Sequence, residues 1–147
     1  KIAEYDAFLT KQDPAFTVEE LEEAMQKVMD QYAGGIGTHY QFNEKQLGMA
    51  EEKIKKLQIL AKGLAAADMH ELMFIYELKE RLTVCLTVIA HLRARKETRW
   101  HSFAENLDYP EKRDAWLCYV NSKKNGDQIT MIRRDLVKGG ETYEHRD

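Results

Sequence analysis

The chain has 147 residues, with 22 Lys and Arg against 25 Asp and Glu, a net charge of −3 and a mean hydropathy of −0.59. At 44% hydrophobic and 32% charged it has apolar mass for one core, and a chain of this length buries about 68–70% of its unfolded surface. The longest apolar run, residues 84–90, is interrupted by Thr87 and falls far short of the roughly 20 residues of a bilayer span, which excludes membrane insertion. Cys85 and Cys118 are too far apart for a CxxC motif and too few for a disulfide scaffold, so a reducing compartment, the cytoplasm, is the expectation.

Residues 1–16 place Tyr5, Phe8 and Phe16 around Asp13-Pro14, which reads as an irregular strap that packs locally. Thr17 and Glu20 form a capping box, and Val18, Leu21, Met25, Val28 and Tyr32 then recur at helical steps until Gly34, Gly35 and Gly37 end the helix. Asn43 and Gln46 open a second helix whose stripe is Leu47, Ala50, Ile54, Leu57 and Ala61, with Gly63 as its stop. Asp68 and Glu71 start a third and longest helix, expected to run to about Lys96 and to span roughly 42 Å at 1.5 Å per residue. Its middle, residues 75–92, has almost no polar face, and a helix apolar nearly all round has to be surrounded; two short amphipathic helices cover only part of it, so either the hairpin that follows or an absent partner covers the rest. Beyond Pro110 the pattern alternates: residues 116–120 and 129–132 are strand formers, with Asn125-Gly126 between them as a tight hairpin turn. The predicted class is therefore mainly α, a three-helix bundle over 17–110 with a long central helix, then a two-stranded β-hairpin over 111–134. Residues 135–147 read as a flexible tail. Lys1 begins the chain without a signal segment, and the expectation is a segment of something longer.

The catalytic inventory is thin. The five histidines, at 39, 70, 91, 101 and 145, form no H-x-x-x-H or HExxH pair, and none follows a Glu at the di-metal spacing. Gly34-Gly35-Ile36-Gly37 follows a helix rather than a strand and lacks the lysine-serine ending of a phosphate loop, so it reads as a helix stop. Neither Ser102 nor Ser122 sits in a nucleophile elbow, and Cys85 reads as a core thiol. No residue of this chain is assigned to catalysis, cofactor or metal. The unusual stretch is 91–100, where Arg93, Arg95, Lys96 and Arg99 sit beside Trp100. These cations complement the helix dipole, and guanidinium is also shaped for bidentate contacts across an interface. Residues 91–147 carry a net charge of only +2, too weak a field for a nucleic-acid surface.

Several separated blocks carry a resemblance. Glu97-Thr98-Arg99-Trp100, Asp108-Tyr109-Pro110, Trp116, Cys118 and residues 120–123, together with residues 26–35 and 68–72, resemble the C-terminal part of the flavoprotein (alpha) subunit of dissimilatory adenylylsulfate reductase. More distantly the segment is similar to the C-terminal helical domain of fumarate reductase and succinate dehydrogenase flavoproteins, in which the Arg99-to-Asp108 spacing is shorter. After Trp100, residues 101–107 depart from the adenylylsulfate pattern.

The resemblance implies a parent enzyme that binds FAD in a separate N-terminal domain and receives electrons through an iron–sulfur subunit. Its reaction would interconvert adenylylsulfate with AMP and sulfite, or fumarate with succinate on the other branch. The family's flavin and substrate residues lie outside this segment. Arg93, Arg99, Trp100 and Tyr109 are then expected to form a contact surface toward the flavin domain of the same chain or the iron–sulfur subunit. The alternative is that they only close the helix end. A free-standing helical interaction module is the remaining reading of the whole chain.

Overall fold

A computed structural model describes residues 2–126 and 128–137. Four helices, not three, build it: α1 (Ile2–Leu9), α2 (Val18–Tyr32), α3 (Glu44–Ala61) and α4 (Met69–Ala94). The strap expected at 1–16 is helical over Ile2–Leu9. Tyr5 and Phe8 set their rings edge-on to Tyr76 of α4, at 5.2 and 6.2 Å, so a tertiary contact selects the helix where the local composition pointed to a loop.

The caps form as their spacing predicts. The Thr17 hydroxyl accepts from the Glu20 N–H at 3.2 Å, and the Glu20 carboxylate accepts from the Thr17 N–H at 2.9 Å. Asn43 and Gln46 repeat the exchange at 2.8 and 3.1 Å. Asp68 accepts from the N–H groups of His70 and Glu71, while Glu71 reaches one residue further back, to the Ala67 N–H. Each such cap holds about 1 kcal/mol. After α2, Gly34 adopts φ +75°, and Gly35 lies so close to Asp30 that a Cβ would stand 2.3 Å from the Asp30 Cα.

The helix α4 is the axis of the molecule: it touches α1, α2, α3 and the hairpin. Its stripe Leu72, Ile75, Leu78, Leu82 and Ile89 is buried with Leu21 and Met25 of α2 and Leu47, Ala50, Ile54 and Leu57 of α3. The helix stops at Ala94, two residues before Lys96. It is not surrounded on all sides, since Val84 remains 59% exposed and Val88, Met73 and Phe74 stay open as well.

The hairpin consists of β3 (Cys118–Asn125) and β4 (Gln128–Asp135), antiparallel with Asn125 opposite Gln128 and Cys118 opposite Asp135. It is longer at both inner ends than the predicted strands, and Trp116 lies in a short 3-10 turn, Asp114–Trp116, before it. Asp135, expected in the tail, ends β4; the remainder of that expectation, from residue 138 onward, lies outside the described residues. A second pairing was not signalled by periodicity: β1 (Gln41–Phe42) runs parallel to β2 (Glu105–Asn106) and ties the loop after α4 to the start of α3.

Candidate functional site

The residues after α4 form a polar knot around one buried carboxylate. Glu97 is only 3% exposed, yet it carries a charge. Its Oε1 accepts from Arg95 Nη1 at 2.7 Å and Arg99 Nε at 2.9 Å; its Oε2 accepts from Arg99 Nη2 and the Arg113 N–H, both at 2.9 Å. Burial alone would raise the carboxyl pKa. The hydrogen bonds from Arg99, the Arg113 N–H and Arg95 overcome that and bring it down to about 2.

Arg95 reaches from this carboxylate to the base of the hairpin, donating to the carbonyls of Trp116 at 2.8 Å and Cys118 at 3.0 Å. The Trp116 ring lies between the guanidinium groups of Arg95 and Arg133, 6.0 and 4.3 Å from its centroid. Tyr109 is flanked in the same way by Lys96 at 5.8 Å and Arg113 at 5.2 Å. Beneath it the buried Thr98 hydroxyl donates to the Tyr109 carbonyl and accepts from the Asn106 N–H, both at 2.9 Å. Asp108 then caps the far helix, accepting from the Glu44 N–H at 2.7 Å at the first turn of α3. The loop between α4 and the hairpin is thus pinned at both ends by charge-assisted hydrogen bonds, which are roughly twice as strong as neutral ones.

Of the four residues singled out in the sequence, three come to this knot. Arg99 is held bidentate by Glu97 and also donates to the Arg113 carbonyl; Tyr109 is the flanked ring; Trp100 stands beside them, 68% exposed, its backbone bridged to Ala104. Trp100 borders a hollow of about 230 Å³ with Arg95, Glu97, Arg99, Leu92 and Val120. Arg93 faces away from it. From the last turn of α4 it donates to Glu44 at 2.7 Å and Glu51 at 2.5 Å on α3, a staple between the two helices. Sequence reasoning missed Glu97 as the organiser. Its one local signal is an acidic residue two positions from an arginine on either side, in a stretch otherwise read for its cations.

A larger groove, about 700 Å³, lies elsewhere, between α1, α3 and α4, and is lined by Phe8, Lys55, Ile59, Lys62 and Lys79 among others. Among the described residues no three metal-binding side chains group together. Burial pushes the Cys85 thiol up, away from thiolate chemistry. The glycine loop does not fit a dinucleotide pyrophosphate: the Gly37 N–H already donates to the Asp30 carboxylate at 2.9 Å, and that negative charge occupies the place an anion would need.

Residues 22–141 match the family model described as the C-terminal part of the fumarate reductase flavoprotein. The chain belongs to that family. Over 98 residues it is 34% identical to the adenylylsulfate reductase alpha subunit of Megalodesulfovibrio gigas, covering 66% of this chain and 15% of that one. The adenylylsulfate reductase structure from Archaeoglobus fulgidus superposes with a TM-score of 0.84 at 32% identity, over 97% of this chain and 24% of its own. A sulfite complex of adenosine-5-phosphosulfate reductase gives 0.83 at 34%, again 97% against 24%. The Escherichia coli quinol fumarate reductase chain, at 18% identity and a TM-score of 0.76, shares the fold. The chain spans about a quarter or less of the length of these relatives. Two of the blocks on which the sequence resembles the adenylylsulfate reductase alpha subunit, 97–100 and 108–110, supply Glu97, Thr98, Arg99 and Tyr109 to the knot.

Proposed function

We propose that this chain is the C-terminal helical scaffold and docking domain of an FAD-dependent flavoprotein of the adenylylsulfate reductase type, and that it supplies no reacting group itself. In this reading the flavin sits in another domain of the same polypeptide. An iron–sulfur subunit delivers two electrons to it, and adenylylsulfate is split to AMP and sulfite in the cytoplasm. The helices hold the flavin domain, and the knot at the end of α4 presents a rigid surface to a partner. Arg93 closes the bundle from within, whereas Arg99, Trp100 and Tyr109 belong to the docking end.

The observation that carries the reading is the superposition, over 97% of this chain, on a quarter of an adenylylsulfate reductase at 32% identity. The test is to purify the full-length flavoprotein that carries these residues. It should show a bound-flavin spectrum and, with AMP, sulfite and an artificial electron acceptor, form adenylylsulfate. Turnover of fumarate instead would move it to the other branch, and a colourless full-length protein would overturn the flavoprotein reading.

A further inference from the structure

We propose that, independently of the docking role, the groove between α1, α3 and α4 binds a long-chain carboxylate, an amphipathic anion whose head group meets the lysines at the α1 end and whose alkyl chain runs toward the hairpin.

The groove holds about 700 Å³, within the range of small-molecule sites. Its walls are Ala7 and Phe8 of α1, Ile59 of α3 and the stems of Lys55, Lys62 and Lys79. Lysine stems cover apolar surface while their ammonium groups stay at the water's edge, which gives an apolar floor with a cationic rim. Ile59 keeps 65% of its surface exposed, an aliphatic side chain that the bundle leaves uncovered.

The rim is rich in donors and poor in acceptors. Lys79 pairs with Glu4 and lies over the Phe8 and Tyr76 rings, 5.5 and 4.5 Å from their centroids, so its ammonium is fixed at the groove. Lys55 is held in the same way by Glu51. Each ammonium has three N–H donors, more than one carboxylate oxygen takes up. Lys62 and the Gln58 amide, also on the rim, have no side-chain partner among the described residues. Glu4 is the one carboxylate among the described lining residues, and Lys79 already occupies it. Three ammonium groups against one carboxylate call for a second, and charge-assisted hydrogen bonds to it are the strong kind.

The groove continues past the lysines. Lys55 also borders the cleft of about 430 Å³ beneath the hairpin, Gln58 and Thr83 border the one of about 370 Å³, and those two clefts share Leu86 and Ile129. The three hollows form one trough, floored at its far end by Leu86, Ile89, Ile129 and Met131. From Lys62 back to Glu51 it follows α3 for about 17 Å at 1.5 Å per residue. A small anion cannot fill that length. A peptide would need partners for its backbone N–H and C=O groups, and the trough is walled mainly by helices whose own backbone groups are already paired; an alkyl chain needs none.

The test is calorimetric titration of the full-length flavoprotein with decanoate, dodecanoate and tetradecanoate, each below its micellar concentration. Binding should saturate at one site and raise Tm. Each added CH2 group should tighten it about two- to fourfold, the upper figure being that of complete burial. Dodecanol, with the same chain and no charge, should bind at least tenfold more weakly than dodecanoate. Lys62→Glu and Ile59→Asp, both at exposed positions, should keep the Tm of the free protein and weaken dodecanoate at least tenfold, while Lys27→Glu on α2 should bind as the wild type does. Absence of saturable binding, or binding that ignores both Lys62→Glu and Ile59→Asp, overturns the site. An affinity that does not grow with chain length overturns the alkyl trough. Pelleting with phosphatidylcholine–phosphatidylglycerol vesicles that Lys62→Glu abolishes, without binding of free dodecanoate, assigns the lysines to a membrane surface and overturns the proposal as well.

Discussion

Replacing Glu97 by Gln tests the knot with a change that keeps the shape of the side chain and removes its charge. The wild-type carboxylate accepts four hydrogen bonds, three of them from guanidinium nitrogens, and its side chain has no exposed surface. A glutamine amide can accept at one position only, and its NH2 group meets donors at the other. Breaking one partner out of a buried pair costs about 3–5 kcal/mol. Here the Arg95 and Arg99 side chains keep 31% and 18% of their surface, so water recovers part of the loss, and about 2–3 kcal/mol is expected. For a domain of this size that corresponds to a fall in Tm of roughly 5–10 °C.

The pH dependence gives a second handle on the same group. The folded pKa of Glu97 lies at about 2, below its ordinary value of 4.5. Its contribution is therefore fully present above about pH 4.5 and is lost as pH falls toward 2. Glutamine does not titrate, so the gap between wild type and variant should be widest at neutral pH and close between pH 4.5 and 2. Thermal melts followed by circular dichroism across that range measure it. A variant as stable as wild type at pH 7, or a gap that does not narrow in acid, would refute the buried, doubly paired carboxylate.

Other changes read other parts of the fold by chemical denaturation. Leu82→Ala empties a fully buried position on α4 and should cost about 3 kcal/mol, whereas Val84→Ala, two residues on and mostly exposed, should stay within about 0.5 kcal/mol. Thr17→Ala removes the acceptor of the α2 capping box and should cost about 1 kcal/mol. Gly35→Ala forces a Cβ against the Asp30 backbone and should cost about 1–3 kcal/mol; Gly126→Ala meets open space at φ +61° and should cost only about 1 kcal/mol from the left-handed backbone.

The sequence made the starts of α2, α3 and α4 legible because each carries a cap with its partner at fixed spacing, a signal confined to four residues. The hairpin turn was placed one residue early: Gly126 takes the positive φ, +61°, but Asn125 ends β3 opposite Gln128 instead of entering the turn. The helix α1 was not legible, because it depends on Tyr5 and Phe8 meeting Tyr76, a partner some seventy residues away. The parallel pairing of Gln41–Phe42 with Glu105–Asn106 is two residues long on each side and leaves no period to read. The openness of α4 at Val84 and Val88 could not be decided from its composition, which says that a helix wants cover but not which neighbour supplies it. Within the knot after α4, Arg99, Trp100 and Tyr109 stood out by type. Glu97, which positions Arg95 and Arg99, entered only as part of the block 97–100; its burial, set by the loop folding back through Thr98, Asn106 and Tyr109, makes it the centre.

Oxidative footprinting of the full-length flavoprotein, alone and with the proposed iron–sulfur subunit, tests the proposed docking role most directly. Trp100 and Phe103 should be modified readily in the free flavoprotein and protected in the complex, while Met69 and Met73, exposed at the opposite end of α4, react equally in both. Protection of Met69 and Met73 with Trp100 and Phe103 unchanged would contradict the account.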